Sequence, residues 1–297
     1  MKYVITGSLG NISKPLTEKL IMAGHEVMVI TSKQSNRPAI EAIGASAAVG
    51  SVEDIAFLQQ AFAGADAVYT MVPPNLGATN WKEWIGQIGK NYAAAIVENN
   101  IPYVVNLSSI GAHLPDGCGP VSGLYKVEQA LNKLSGVHIR HLRPAYFFDN
   151  LLANTGMVKH MNIIGGNFGG SDTEIVLVDT SDIAEVAFEE LSTLSFSGHS
   201  IRYIAGDVRT TGEIAAVLGA AIDKPSLPWV AFTDEQSVAG MQQAGLSEEI
   251  AKNYAEIGSS LRTGRMAEDY KKNIPPIFGK VKLEDFAKKF AAVFNSN

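Results

Sequence analysis

The chain has 297 residues, 46% of them hydrophobic, with a formal net charge of -6 and a sequence pI near 5.6. This length and apolar content suit one large α/β unit or two modest domains, while the acidic balance argues against a broad electrostatic grip on nucleic acid or an anionic membrane. Cys118 is the single cysteine, so no intrachain disulfide can form; with no signal-like opening and no apolar run approaching about 18 residues, a cytoplasmic protein is expected.

Short β-branched runs alternate with helix-length amphipathic stretches through the first half, the pattern of repeated βαβ units around a parallel sheet. Lys2 to Thr6 is the first predicted strand, followed by a helix through Pro15 to Ala23, with Ile12, Leu16 and Leu20 on one face. His25 to Thr31 and Ala45 to Gly50 are the second and third strands; a helix within Glu53 to Gly64 leads to a fourth, Asp66 to Val72, stopped by Pro73 and Pro74. After a helix through Trp84 to Asn100 come a fifth strand at Tyr103 to Ser109, a helix from about Leu124 to Leu134, and a sixth strand at His138 to Pro144. Beyond Pro144 the glycine-rich Gly165 to Asp172 reads as a surface turn. Glu174 to Leu191 reads as a strand and a helix capped by Asp179, Thr180 or Ser181, and Ser200 to Gly206 as a further strand. From Thr210 the chain reads mainly helical, interrupted at Lys224 to Trp229 and Asn273 to Gly279, and closes in a helix whose apolar side is Leu283, Phe286, Phe290 and Val293. The predicted fold is therefore α/β: a Rossmann-type, doubly wound parallel sheet over residues 1–150, rejoined by strands near 173–206, with a smaller, mainly helical substrate region over 151–297 packed upon it.

The turn after the first strand, "VITGSLGNIS", carries Gly7 and Gly10 three apart, with Ser13 where a third glycine often stands. A preceding strand and a following helix give such a pair its meaning: Gly7 permits the tight turn, and Gly10 lets backbone N–H groups approach a pyrophosphate at the helix N-terminus. Gly7, Ser8, Leu9, Gly10, Asn11 and Ile12 are thus the expected dinucleotide loop. About 20 residues on, where an NAD-binding chain offers a carboxylate to the ribose 2′-hydroxyl, this chain offers Thr31, Ser32 and Lys33, with Arg37 close behind. Two cations and no carboxylate point to the 2′-phosphate of NADP.

These residues, together with "GSVEDIAFLQQAFAGADAVYTMVPP", "VVNLSSIGAH", "LYKVEQAL", "HLRPAYFFDNLL" and "VDTSDIAEVA", resemble the NmrA-like family over almost the whole chain. That family is an atypical branch of the short-chain dehydrogenase superfamily and includes NAD(P)H-dependent quinone and azo-dye reductases as well as redox-sensing regulators. The resemblance implies that Val72 and Pro73 line the nicotinamide-ribose channel, that Tyr146 and Phe147 lie beside the nicotinamide, and that Lys126 holds the ribose hydroxyls; Met71 and, past the end of the fifth strand, Ser108 are further expected cofactor contacts. Asn75, Ile110 and Phe148 fall just past strand ends, where open α/β sheets bind ligands, and with Tyr125 they are the expected substrate contacts.

The main branch of that superfamily donates a proton from the tyrosine of Y-x-x-x-K. Here Lys126 aligns with the lysine, but Ser122 stands four residues before it, Tyr125 is adjacent to it, and Gln129 follows Tyr125 by four. Neighbours at i and i+1 point in different directions on a helix, so no catalytic acid is identified. Ser108 and Ser109 lack the G-x-S-x-G frame of a nucleophile elbow, and the histidines show no metal-ligand spacing, so no metal is expected. His138 and His141 face opposite sides of a strand, and His113 reads as a solvent-facing loop residue. Without a positioned acid an unactivated ketone is a poor substrate, whereas a quinone needs chiefly proximity and an apolar slot. Two readings stand: an NADPH-dependent reductase whose partner is a small-molecule electron acceptor, and a non-catalytic NADP(H)-binding redox sensor that reports to a protein partner. A homodimer is compatible with the apolar helix faces, which serve equally as core.

Overall fold

The computed structural model describes residues 1–276 and 279–296. In chain order, the first half alternates β1 (Lys2–Ile5), α1 (Ser13–Met22), β2 (Glu26–Thr31), α2 (Arg37–Ala42), β3 (Ser46–Val49), α3 (Ile55–Phe62), β4 (Ala67–Thr70), α4 (Trp81–Glu98), β5 (Tyr103–Leu107), α5 (Pro120–Leu131) and β6 (His138–Pro144). The remainder comprises β7 (Tyr146–Phe147), α6 (Thr155–Met161), β8 (Ile164–Gly166), β9 (Glu174–Val178), α7 (Thr180–Thr193), β10 (His199–Ile204), β11 (Asp207–Thr210), α8 (Thr211–Ala220), β12 (Trp229–Ala231), α9 (Asp234–Gln243), α10 (Glu248–Arg262), α11 (Glu268–Lys272) and α12 (Leu283–Ser296).

Seven strands form one parallel sheet in the order β10-β6-β5-β4-β1-β2-β3. The winding direction reverses between β1 and β4, so a crevice opens beyond the carboxyl ends of those two strands. The central strands are buried on both faces, as a doubly covered parallel sheet requires. Tyr3, Ile5 and Tyr69 face a layer filled by Leu16 and Leu20 of α1 and Ile183 and Leu191 of α7. Val4 and Val68 face the opposite layer, with Leu58 and Phe62 of α3, Ile88 and Tyr92 of α4, and Val127 and Leu131 of α5. The expected Rossmann architecture is therefore the observed one.

Downstream, β10 joins the edge of the main sheet, whereas β9 lies outside it, between β7 in parallel and β11 antiparallel. A third apolar cluster gathers Ile164, Leu177 and Leu218 with Leu283, Phe286 and Phe290 of α12. Asp179 is the residue that caps α7, accepting from Ser181 N–H at 2.8 Å. Two local readings need correction. Helix α5 begins at Pro120 rather than near Leu124, because Gly119 adopts φ +57 and proline suits the first helical position. Gly165 to Asp172 is a surface turn only in its second part: Gly165 and Gly166 belong to β8, which pairs in parallel with β12 so closely that a Cβ on Gly165 would lie 2.2 Å from the Val230 carbonyl oxygen, and the chain then turns, with Gly170 to Asp172 exposed. Asn167, next to Gly166, is buried and donates to the Ala255 carbonyl at 2.7 Å. In the interruption at Asn273 to Gly279, Ile277 and Phe278 lie outside the described residues.

His138 and His141 do point to opposite sides of β6. His138 sits against Tyr103 and accepts from Gly198 N–H through Nδ1. His141 is buried between Asn106 Nδ2, 3.1 Å from its Nδ1, and Asn132 Oδ1, 3.0 Å from its Nε2. That pairing suits a neutral ring protonated on Nε2, and burial lowers its pKa to about 4. Below the ordinary value of 6.5 the unfolded chain takes up a proton that the folded chain refuses, so the stability this group contributes at neutral pH is lost as pH falls from 6.5 towards about 4. We expect His141→Gln to lose this dependence. Denaturant unfolding at neutral pH and near pH 4.5 should show the gap between wild type and variant changing by on the order of 2–3 kcal/mol across this window; a constant gap would contradict the assignment.

Candidate cofactor-binding site

The chain leaves β1 under tight constraint. Gly7 adopts φ +93, and a Cβ there would lie 2.6 Å from Ser13 Oγ and 2.9 Å from Met71 Cγ, so only glycine fits. Ser13, in place of a third glycine, packs inward and donates from its hydroxyl to the Thr6 carbonyl at 2.9 Å. Ser8 is held at φ +55, with its N–H donating to the Ile30 carbonyl of β2 at 3.0 Å. The turn closes with Gly10 N–H on the Gly7 carbonyl at 3.2 Å, and α1 follows with neither a side-chain cap nor an acidic residue in its first turn. Backbone donors and the positive end of the helix dipole thus stand ready for an anion.

A cavity of about 390 Å³ opens here, lined by Gly7, Ser8, Leu9, Gly10, Thr31, Ser32, Lys33 and Asn36. Asn36 is the member that sequence reasoning missed. Its Nδ2 donates to Ser8 Oγ and to Thr31 Oγ1, both at 3.0 Å, and the two hydroxyls lie 3.0 Å apart. This three-residue clamp fastens the glycine turn to the end of β2. Arg37, by contrast, does not line the cavity; it begins α2 and pairs with Glu41 one turn on, at 3.4 Å.

At the far side of the crevice, Met71, Val72 and Pro73 leave β4 partly exposed. Met71 is fixed by Thr6 Oγ1, which accepts its N–H at 2.8 Å, and by the Tyr92 hydroxyl, which donates to its carbonyl at 2.7 Å. Asn75 follows, its Oδ1 accepting from Gly77 N–H. Tyr146 and Phe147 are partly buried at β7; Tyr146 lies edge-on to Phe168 at 5.6 Å, and burial raises its phenol pKa, keeping it protonated.

Several expected site residues are placed elsewhere. Phe148 is fully buried and stacks on Phe286 at 5.3 Å, and Ile110 is 3% exposed in the sheet core, so neither presents a side chain to a substrate. The Ser108 hydroxyl turns into a buried network: it donates to Glu128 Oε1 at 2.5 Å, Arg143 bridges both Glu128 oxygens at 3.0 and 2.6 Å, and Arg143 and the Tyr203 hydroxyl converge on Asp269. Lys126 is partly exposed and ion-paired with Glu83 of α4, whose pKa the lysine lowers. Tyr125 is also partly exposed. Ser122, at the position of the superfamily tyrosine, is fully buried and accepts from Cys118 N–H at 3.2 Å. His113 is not solvent-facing: protein encloses both ring nitrogens, and burial lowers its pKa. Among the described residues no cluster of His, Cys, Asp and Glu could hold a metal ion, and no helix is long and apolar enough to cross a membrane.

A larger cavity of about 710 Å³ lies against β10 and α7 and shares no residue with the glycine turn; of its four carboxylates Glu185, Glu189 and Asp269 are paired with Lys19, Arg202 and Arg143, and Asp182 accepts from the N–H groups of Lys280 and Val281. The glycine turn is the better suited to an anion despite its smaller volume, because its cavity opens beside the uncapped N-terminus of α1, whose first turn carries no acidic residue.

Comparison with known proteins agrees. A crystal structure of an NADPH-dependent quinone oxidoreductase from Escherichia coli complexed with NADPH superposes with a TM-score of 0.83 at 20% identity, covering 97% of this chain and 99% of that one. The Citrobacter sp. triphenylmethane reductase complexed with NADP(H) gives 0.78 at 17% identity over 97% and 99%. In sequence, a (4-alkanoyl-5-oxo-2,5-dihydrofuran-3-yl)methyl phosphate reductase from Streptomyces griseus is 22% identical over 222 residues, 75% of this chain and 74% of that protein. The structural likenesses show a shared fold that accords with the NmrA-like resemblance. The profile of the NAD(P)H-binding family matches residues 7–193, from the glycine turn through α7, and the chain belongs to that family.

Proposed function

We propose that this protein is an NADPH-dependent reductase that passes hydride directly to quinone-like or similarly electrophilic small molecules. The observation that carries the reading is the burial of Ser122 where a proton-donating tyrosine would stand, with Ser108 already committed to Glu128. No hydroxyl at either position is free to protonate a developing alkoxide, so the acceptor must stabilise its own negative charge. A quinone does so through its ring, and water can supply the proton.

The residues of the turn fit the cofactor. Backbone N–H groups of the Gly7 to Ile12 turn and the start of α1 would hold the pyrophosphate, and Lys33, beside the Ser8, Thr31 and Asn36 clamp, would meet the adenosine 2′-phosphate. Met71, Val72 and Pro73 would flank the nicotinamide, with Tyr146 and Phe147 excluding water on the other side. NADPH, when bound, supplies the hydride; the chain supplies orientation and a dry wall. The names of the quinone and triphenylmethane reductases that share this fold support an electrophilic acceptor.

Because Lys33 lines the cavity and Arg37 is held by Glu41, their contributions should separate. Lys33→Glu should weaken NADPH binding about tenfold or more while changing NADH binding little, and Arg37→Glu should alter both by less than about threefold. Equal loss of both nucleotides in the Lys33 variant would refute the 2′-phosphate assignment. For the reaction, anaerobic oxidation of NADPH against a panel of benzoquinones and naphthoquinones should exceed the uncatalysed rate at least about 100-fold. Tight NADPH binding without turnover across the panel would overturn the reductase reading in favour of a sensor.

A further inference from the structure

The anion-binding turn carries an acidic residue at its rim. Asn11, the residue between Gly10 and the α1 N-cap, donates from Nδ2 to Asp149 Oδ2 at 2.8 Å. Asp149 is only 15% exposed at its side chain, so its charge is poorly screened by solvent. A carboxylate here opposes the pyrophosphate that the turn is shaped to hold. Its other oxygen, Oδ1, accepts from Lys289 Nζ at 2.6 Å. Lys289 lies on α12, 140 residues away in sequence, and that helix is anchored independently by Leu283, Phe286 and Phe290 in the third apolar cluster.

We infer that Lys289 sets dinucleotide affinity by neutralising Asp149 and holding it against Asn11, so that the C-terminal helix completes the pyrophosphate end of the site. Lys289 is a positioning residue, acting through Asp149 on Asn11 rather than on the nucleotide. The inference rests on the cofactor reading above. Its signature differs from that of Lys33: a charge beside the pyrophosphate affects NADPH and NADH alike, whereas a charge beside the 2′-phosphate affects only NADPH.

The test is fluorescence titration of the full-length protein with NADPH and with NADH, for wild type, Lys289→Gln, Lys289→Arg and the double variant Asp149→Asn with Lys289→Gln. Lys289 is half exposed and its helix is held by apolar contacts, so these variants should fold. Lys289→Gln should weaken both nucleotides by the same factor, about three- to tenfold at low salt, and less at high salt. Lys289→Arg should retain affinity, and the double variant should return to within about twofold of wild type, because the uncompensated charge is gone. A purely structural role for Lys289 would leave the double variant no better than the single one, and that result would overturn the inference, as would unchanged affinity in Lys289→Gln. If wild type bound neither nucleotide, the cofactor reading itself would fall together with the inference.

Discussion

Everything in the candidate site depends on one turn being held open against its own packing. Between β1 and α1 the chain must reverse beneath Met71 and above Ser13, with no room for a side chain at Gly7 and with Ser8 held at positive φ. A non-glycine residue in that conformation carries strain of order 1 kcal/mol, which the surroundings must offset. They do so through the Ser8 N–H bond to Ile30 and the clamp of Asn36 on Ser8 and Thr31. The consequence is a turn and a helix start fixed in position before any anion arrives, so little conformational entropy is left to lose on binding.

The same logic of committed groups shapes the other end of the crevice. Ser108 stands at a strand end, where a hydroxyl could serve a substrate, yet Glu128 and Arg143 draw it into the interior. A buried carboxylate needs its guanidinium and every available donor to offset desolvation, and the Ser108 hydroxyl is one of those donors. With Ser122 buried as well, neither of these two positions presents a hydroxyl to the crevice.

Much of this could be read from residue order, and the exceptions share a physical cause. The strands of the main sheet announce themselves by short β-branched runs, and the glycine turn by its place between a strand and a helix, because both are local properties of the chain. The start of α5 is also written locally, in Gly119 and Pro120, four residues before the expected Leu124. Position past a strand end, however, says nothing about which way a side chain turns. Phe148 and Ile110 occupy such positions and are core, because the third apolar cluster and the sheet interior claim them. Asn36 was within reach as a polar residue between Lys33 and Arg37, but Asp149 and Lys289 were not: the Asn11–Asp149 and Asp149–Lys289 pairings span 138 and 140 residues and join parts of the chain that meet only in the folded state.

The central claim is that the preorganised turn, with Lys33 beside it, selects a 2′-phosphorylated dinucleotide. It is tested most directly by measuring the dissociation constants of the wild-type protein for NADPH and NADH under identical buffer and salt. The prediction is NADPH binding tighter by about tenfold or more, corresponding to roughly 1.4 kcal/mol or more from contacts to the phosphate. Equal affinity for the two would contradict the role given to Lys33 and the clamp, and binding of neither would contradict the site.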